Sequence, residues 1–359
     1  MRGSLPHGPA LVSRLDPWHS STAGGLSVRV LVIGGNRFVG CLLGWRLLAR
    51  GDEVTLLNRG RLPDPFGDRV ERLRCDRTTP ELGRALSGRS FDAAVDLAAY
   101  TGEDGRRAAE VLGGRVGHYL LVSTGQVYLV REGCPVPARE EDYSGPLMPR
   151  PDDPRDLPEW EYGMGKRACE DALAEAHARN GFPATAVRIP MVNGERDYLR
   201  RMEGYLWRLL DGGPVILPEG GAHRLRHVYG GEVARFLAGI AGRPERCGRA
   251  YNLAQQETPT LAELVGRLRD LLGSRAEIVP VPSERIRAAG LDPARLSPFS
   301  GRWMSFLDPS RARTELGFLH EPVEVYLARI VAAFLAHPPA GRPEGYARRA
   351  DETALARGA

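Results

Sequence analysis

Val28-Arg29-Val30-Leu31-Val32-Ile33 runs directly into Gly34-Gly35-Asn36-Arg37-Phe38-Val39-Gly40, and the fold turns on how this junction is read. The first six residues are almost continuously apolar, as a strand buried on both faces of a parallel sheet requires. The residues from 41 to 50 are amphipathic and stop at Gly51, a helix with a glycine end signal. Between them, glycines let backbone N–H groups approach an anion at the positive end of the helix. Gly34, Gly35 and Gly40 fit that need. A glycine turn alone is often only a turn, but a strand before it and a helix after it make a phosphate cradle the expectation.

Working outward, the same alternation repeats. Strands are predicted at 53–57, 70–75, 92–98, 118–123 and 183–190, with helices at 103–115 and 161–180 among those between them. Strands alternating with helices predict an α/β protein with a doubly wound parallel sheet. Seven prolines and a run of acids make 129–160 a long loop, a place where lids over functional sites are found. The second half is predicted as a smaller C-terminal α/β region, with helices at 198–211, 230–241, 260–272 and 323–336 and strands at 214–217, 249–253 and 276–281. A proline-bounded loop spans 282–310. The expected organisation is a disordered extension at 1–26, a dinucleotide-binding domain at 27–190 and a substrate-binding region at 191–337, of which parts of 227–254 return to the core. A disordered tail is expected at 338–359.

The end of the second strand chooses between dinucleotides: an acid binds a ribose hydroxyl, an arginine a 2′-phosphate. Asn58-Arg59 stand there and Arg37 lies in the glycine turn, which points to NADP, with NAD the alternative. The competing reading makes Arg59 a solvated loop residue.

Lys166 is the only lysine in a chain whose other basic side chains are all arginine. Lysine offers a compact, rotatable point charge that a planar guanidinium does not reproduce. It follows Tyr162 by four residues, so on a helix phenol and ammonium share a face. A phenol near pKa 10 is a poor base at neutral pH, and a neighbouring ammonium would stabilise its ionised form. The plain alternative is a surface pair one helical turn apart.

Three motifs now stand in order: Gly34-Gly35-x-x-Phe38-Val39-Gly40, Ser123-Thr124-Gly125-Gln126-Val127-Tyr128 and Tyr162-x-x-x-Lys166. Together with Leu97-Ala98-Ala99 and the stretch Leu307-Asp308-Pro309-Ser310-Arg311-Ala312, they resemble the extended short-chain dehydrogenase/reductase family, the NAD-dependent epimerase/dehydratase group, over about residues 28–337. The resemblance implies a Rossmann fold. It implies Tyr162 as catalytic acid/base, Lys166 as holder of the nicotinamide ribose that also depresses the phenol's pKa, and Thr124 as the hydroxyl that orients the substrate oxygen. It places the cofactor on Gly34, Gly35, Asn36, Arg37, Phe38, Val39 and Gly40, on Asn58 and Arg59, and on Asp76 against the adenine. Leu97, Ala98, Ala99, Ser123, Tyr162, Lys166 and Pro190 complete the implied cleft. A homodimer through the helices at 103–115 and 161–180 is a further implication.

Departures from the family pattern narrow the chemistry. Arg37 replaces the middle glycine of the turn, a variant associated with atypical members, some resembling RNA-binding proteins. Gly125-Gln126 stand where dehydratases of the group carry Asp-Glu, which disfavours sugar dehydration. Met191 occupies the position of an asparagine usual in nucleotide-sugar epimerases, although Asn193 could compensate.

Composition excludes much else. The net charge of +4 is spread along the chain, and the arginine pairs at 106–107, 200–201 and 348–349 are isolated, so no nucleic-acid partner is expected. No apolar run approaches membrane-span length, so no membrane partner is expected. Five cysteines without a Cys-x-x-Cys fit free thiols in a reducing cytoplasm. The eight histidines show no metal-binding spacing, and neither a Gly-x-Ser-x-Gly elbow nor a Walker lysine is present. His227 is open between cleft and structural roles, Trp207 with Leu209 and Leu210 reads as core, and Arg200 and Arg201 read as a solvated helix face. The expected function is hydride transfer between a nicotinamide and a secondary alcohol or ketone of a small molecule. The alternatives are nucleotide-sugar epimerisation and a cofactor- or RNA-binding protein without enzyme activity.

Overall fold

The computed structural model describes residues 27–358, so the expected extension at 1–26 lies outside the described residues. In the first half come β1 (Arg29–Ile33), α1 (Phe38–Arg50), β2 (Glu53–Asn58), β3 (Glu71–Arg74), α2 (Glu81–Ala85), β4 (Ala93–Asp96) and α3 (Gly102–Leu112). They are followed by β5 (Tyr119–Thr124), the single turn α4 (Gln126–Leu129), α5 (Leu157–Asn180) and β6 (Ala184–Ile189). The second half contributes β7 (Val192–Asn193), α6 (Arg201–Leu210), β8 (Val215–Pro218), β9 (Val228–Tyr229), α7 (Gly230–Ile240) and β10 (Arg249–Asn252). Then come α8 (Leu261–Leu271), β11 (Ile278–Val281), α9 (Ser283–Ala288), α10 (Pro293–Leu296), α11 (Ser310–Leu316), α12 (Val323–Ala336) and α13 (Arg349–Arg357).

Seven strands form one sheet in the order β10-β6-β5-β4-β1-β2-β3, and every pairing in it is parallel. The apolar run of β1 follows from its central place. Val30 and Val32 join the cluster that holds α1 and α7, while Leu31 and Ile33 join the one that holds α3 and α5. Both faces are covered, so neither set of side chains can be polar. The strand order reverses between β1 and β4, whose carboxyl ends therefore open a crevice, the usual ligand position in such sheets. β10 adds to β6 with Ala250 opposite Ala186.

A second core gathers α6, β8, α8 and α12 around Tyr205, Leu206, Leu217, Leu264 and Tyr326. The parallel pair β8–β11 flanks this region, and the short pair β7–β9 bridges the two cores, with Val192 and Val228 in the first and Tyr229 in the second. Two expectations are corrected here. The stretch 282–310 is not all loop, since it holds α9 and α10, helices too short to show periodicity. Nor is the described part of 338–359 disordered: Glu352 is 2% exposed and paired with Arg208, Arg349 pairs with Asp211, and Ala356 is buried. Partners some 140 positions away hold that helix, and nothing local in sequence announces them. Among the described residues no helix is long and apolar enough to cross a membrane.

Candidate functional site

The glycine turn closes on itself at the mouth of the crevice. Gly34 takes φ +99°, a left-handed backbone, and a Cβ there would lie 3.2 Å from Ala98 Cβ beyond the end of β4. A Cβ on Gly40 would stand 2.7 Å from Gly35 Cα, so α1 can approach the turn only with glycine at 40, while a Cβ on Gly35 would meet Val32 at 2.9 Å and Leu56 at 3.1 Å. Asn36 and Asn58 rivet the turn to β2. Asn58 Nδ2 donates to Asn36 Oδ1 at 2.8 Å, and Asn36 Nδ2 donates to the Leu62 carbonyl at 2.7 Å. Their side chains are thus committed within the protein. Phe38 and Val39 point into the core, Phe38 at φ +35°, a conformation a bulky residue holds only under constraint. Arg37 is exposed, with its guanidinium 4.9 Å from the centre of the Tyr198 ring. Arg59 is exposed as well. Asp76 accepts from the Thr78 backbone and hydroxyl, and these bonds, helped by Arg59 and Arg61, hold its carboxyl below the ordinary range.

Behind β4 and β5 lie two buried polar networks that sequence reading missed. Asp96 accepts from Tyr119 at 2.7 Å, pairs with Arg77 at 3.0 Å and takes the Ala98 N–H at 2.8 Å, which fixes the Leu97-Ala98-Ala99 wall. Ser123 donates its hydroxyl to Glu170, which pairs with Arg188 at 2.6 Å, and Arg188 donates onward to Tyr128 at 2.6 Å. The Ser123 side chain is therefore a brace under β5, and buried Pro190 ends β6 beside it. One signal was available: Glu170 continues the four-residue stripe of Tyr162 and Lys166 on α5.

Thr124 is the last residue of β5, and its Oγ1 accepts the Gln126 N–H at 3.2 Å. Tyr162 faces it from α5. Tyr162 keeps 36% of its surface exposed, yet its phenol lies among Tyr100, Glu159 and Tyr198, and burial raises its pKa to about 12 against an opposing hydrogen bond from Thr124. Lys166 is 2% exposed; burial lowers its pKa. Its Nζ donates to the Val122 carbonyl at 2.8 Å and sits 4.8 Å from the centre of the Tyr100 ring. The expectation that Lys166 depresses the phenol is corrected: the ammonium is not among the groups that act most on Tyr162. What the structure does show is a buried ammonium with one hydrogen bond among the described residues and an aromatic ring beside it.

Other candidates resolve into scaffold. His227 is buried, its Nδ1 lies 2.9 Å from Asn193 Nδ2, and burial drives its pKa to about 3, so it is a neutral tie between β7 and β9. Arg201 pairs with Asp197 at 2.8 Å and also reaches Met191 Sδ, while Arg200 pairs with Glu203 at 2.6 Å. Trp207 packs edge-on to Phe334. Two cavities of about 230 and 340 Å³ lie between α6, α10 and the C-terminal segment; Thr124, Tyr162 and Lys166 line neither. Among the described residues no group of three or more His, Cys, Asp or Glu could hold a metal ion.

Known proteins agree with this architecture. The chain is 25% identical over 248 residues to the chloroplast stem-loop binding protein of 41 kDa b from Arabidopsis thaliana. That match covers 65% of this chain and 60% of that protein, so the chain spans less than two thirds of the length of this curated relative. The epimerase Mth375 from Methanothermobacter thermautotrophicus superposes with a TM-score of 0.69 at 19% identity, over 86% of this chain and 93% of that one. DesIV, a dTDP-glucose 4,6-dehydratase from Streptomyces venezuelae solved with NAD bound, gives 0.66 at 22% identity, over 86% and 97%. A model of the NAD dependent epimerase/dehydratase family matches residues 30–254, well over half the chain, and the chain belongs to that family.

Proposed function

We propose that the protein is an NADP-dependent oxidoreductase acting on a secondary alcohol or ketone of a small molecule. The observation that carries this reading is the Tyr162 phenol beside the Thr124 hydroxyl at the end of β5, with the buried Lys166 ammonium one helical turn along α5 and bonded to the Val122 carbonyl of the same strand, across the crevice from the glycine turn. A bound nicotinamide dinucleotide would supply or accept the hydride. The N–H groups of the turn that runs through Gly34, Gly35 and Gly40 would meet its diphosphate, and the Lys166 ammonium its ribose hydroxyls. Exposed Arg59, with Arg61 beside it, favours a 2′-phosphate.

The chain's own chemistry is proton delivery. With a pKa near 12 the Tyr162 phenol is neutral at pH 7 and can give its proton to a carbonyl oxygen as negative charge grows there. Thr124 holds that oxygen beside the phenol. Family membership also supports a net-neutral epimerisation with the same residues. Substrate conversion without net consumption of NADPH would select it. The stem-loop binding relative supports a binding role, which does not need a phenol in the crevice.

The test is Tyr162→Phe. NADPH titration should show unchanged binding, while ketone-dependent NADPH oxidation falls by about 100-fold or more, the usual contribution of a general acid. Full activity in that variant would remove the reading, and equal affinity for NADH and NADPH would remove its NADP part.

A further inference from the structure

The segment between β7 and α6 lies along the glycine turn at three successive points. A Cβ on Gly194 would stand 2.7 Å from the Phe38 ring, Arg196 Nη1 donates to Cys41 Sγ at 3.4 Å, and the Tyr198 ring carries the Arg37 guanidinium at 4.9 Å. Between these points the chain doubles back twice, with the Asp197 N–H donating to the Gly194 carbonyl at 3.3 Å and the Arg200 N–H to the Asp197 carbonyl at 2.9 Å, so two successive turns make a compact strap against the glycine turn. Its first anchor is buried and its last is open, Tyr198 being 56% exposed. The strap leaves through Arg200 at φ +56°, a strained backbone outside glycine that a second arrangement would relieve. On the far side, Tyr198 acts on both Tyr100 and Tyr162, Tyr100 stands 6.2 Å from Tyr162 ring to ring, and Lys166 lies over Tyr100. Two cation–ring groups thus stand by the crevice, Arg37 with Tyr198 and Lys166 with Tyr100 beside Tyr162.

Arg37 is the member of the turn free to change partners. Asn36 and Asn58 are bonded to each other, Phe38 and Val39 are in the core, and Arg37 has a solvent-exposed ring as its partner. An anion on the turn would offer a guanidinium a stronger partner than a phenol ring. We propose that Tyr198 is a determinant of cofactor affinity, a competitor that holds Arg37 until the phosphates of the dinucleotide take it. The inference rests on the proposed dinucleotide site. Release of Arg37 leaves the exposed Tyr198 ring without its cation, so this side chain restrains the turn only until the phosphates arrive.

The experiment titrates NADPH fluorescence with the full chain and with Tyr198→Ala, Tyr198→Phe, Arg37→Ala and the double variant Arg37→Ala/Tyr198→Ala. Removing the competitor should tighten NADPH about two- to fivefold in Tyr198→Ala, the range expected of an exposed cation–π contact. Tyr198→Phe keeps a ring and should retain the wild-type affinity. In the Arg37→Ala background the Tyr198→Ala change should do nothing. Weaker or unchanged binding by Tyr198→Ala, or tightening that persists without Arg37, overturns the proposal while leaving the dinucleotide site intact. A wild-type chain that binds neither NADPH nor NADH overturns the functional reading, and this inference with it.

Discussion

Burial holds the Tyr162 phenol near pKa 12, so the neutral form prevails at every ordinary pH. The two directions of the proposed hydride transfer should therefore respond differently. Reduction uses the protonated phenol and should be flat from about pH 6 to 9 as far as this group is concerned. Alcohol oxidation uses the ionised phenol, whose fraction climbs about tenfold per pH unit until the pKa is reached. A profile of kcat/KM for oxidation between pH 7 and 10 should rise throughout, and a plateau already at pH 8 would show that the phenol is far more acidic in the working enzyme. Stability runs the other way: a pKa raised on folding favours the native state below pH 10, and that contribution is lost as pH rises towards 12. At this scale the sharing of one helix by Tyr162 and Lys166 was legible from their spacing, as was a strand running up to Thr124. The electrostatics were not. Which partner a lysine selects depends on carbonyls and rings from other elements, here Val122 and Tyr100.

Among the elements, the β1–α1 junction makes the most exacting demand. A Cβ on Gly40 would meet backbone rather than side chain, at 2.7 Å from Gly35 Cα and 3.1 Å from its carbonyl carbon. Backbone cannot swing aside, so Gly40→Ala must push α1 off the turn. The expected cost is about 1–3 kcal/mol of stability, as for overpacked cores, together with a clear loss of NADPH affinity. Gly266 on α8 is the control, since a Cβ there meets nothing within 4 Å. Gly266→Ala should raise stability by about 0.5–1 kcal/mol through helix propensity and leave NADPH binding alone. Denaturant midpoints and titrations of both variants test the pair; a tolerated Gly40→Ala would mean the turn is looser than it stands here. The junction was readable because strand, turn and helix each leave a local trace. α9 and α10, six and four residues long, leave none, and the two networks on Asp96 and Glu170 could be recognised only once the strands were side by side.

At the scale of the molecule, the C-terminal segment ties itself to the second core through charge. Arg208 of α6 is 1% exposed and donates to Glu352 of α13 at 2.9 Å, while Arg349 spans Asp211 and Glu352. Two ions removed from water are tolerable only as a bonded pair, so the cost of breaking them exceeds any worth of the pair itself. Glu352→Ala strands the guanidinium of Arg208 and should cost about 3–5 kcal/mol. Replacing both, as Arg208→Met with Glu352→Leu, removes the charges together and fills similar space, so most of the lost stability should return. A chemical denaturation series on the three proteins decides the matter. If the double variant is as unstable as Glu352→Ala, the pair contributes geometry that apolar packing does not replace. If Glu352→Ala alone is harmless, α13 does not dock through this charge, and the helix would instead be held by Ala356 and Leu355 in the small cluster with Ile216 and Val281.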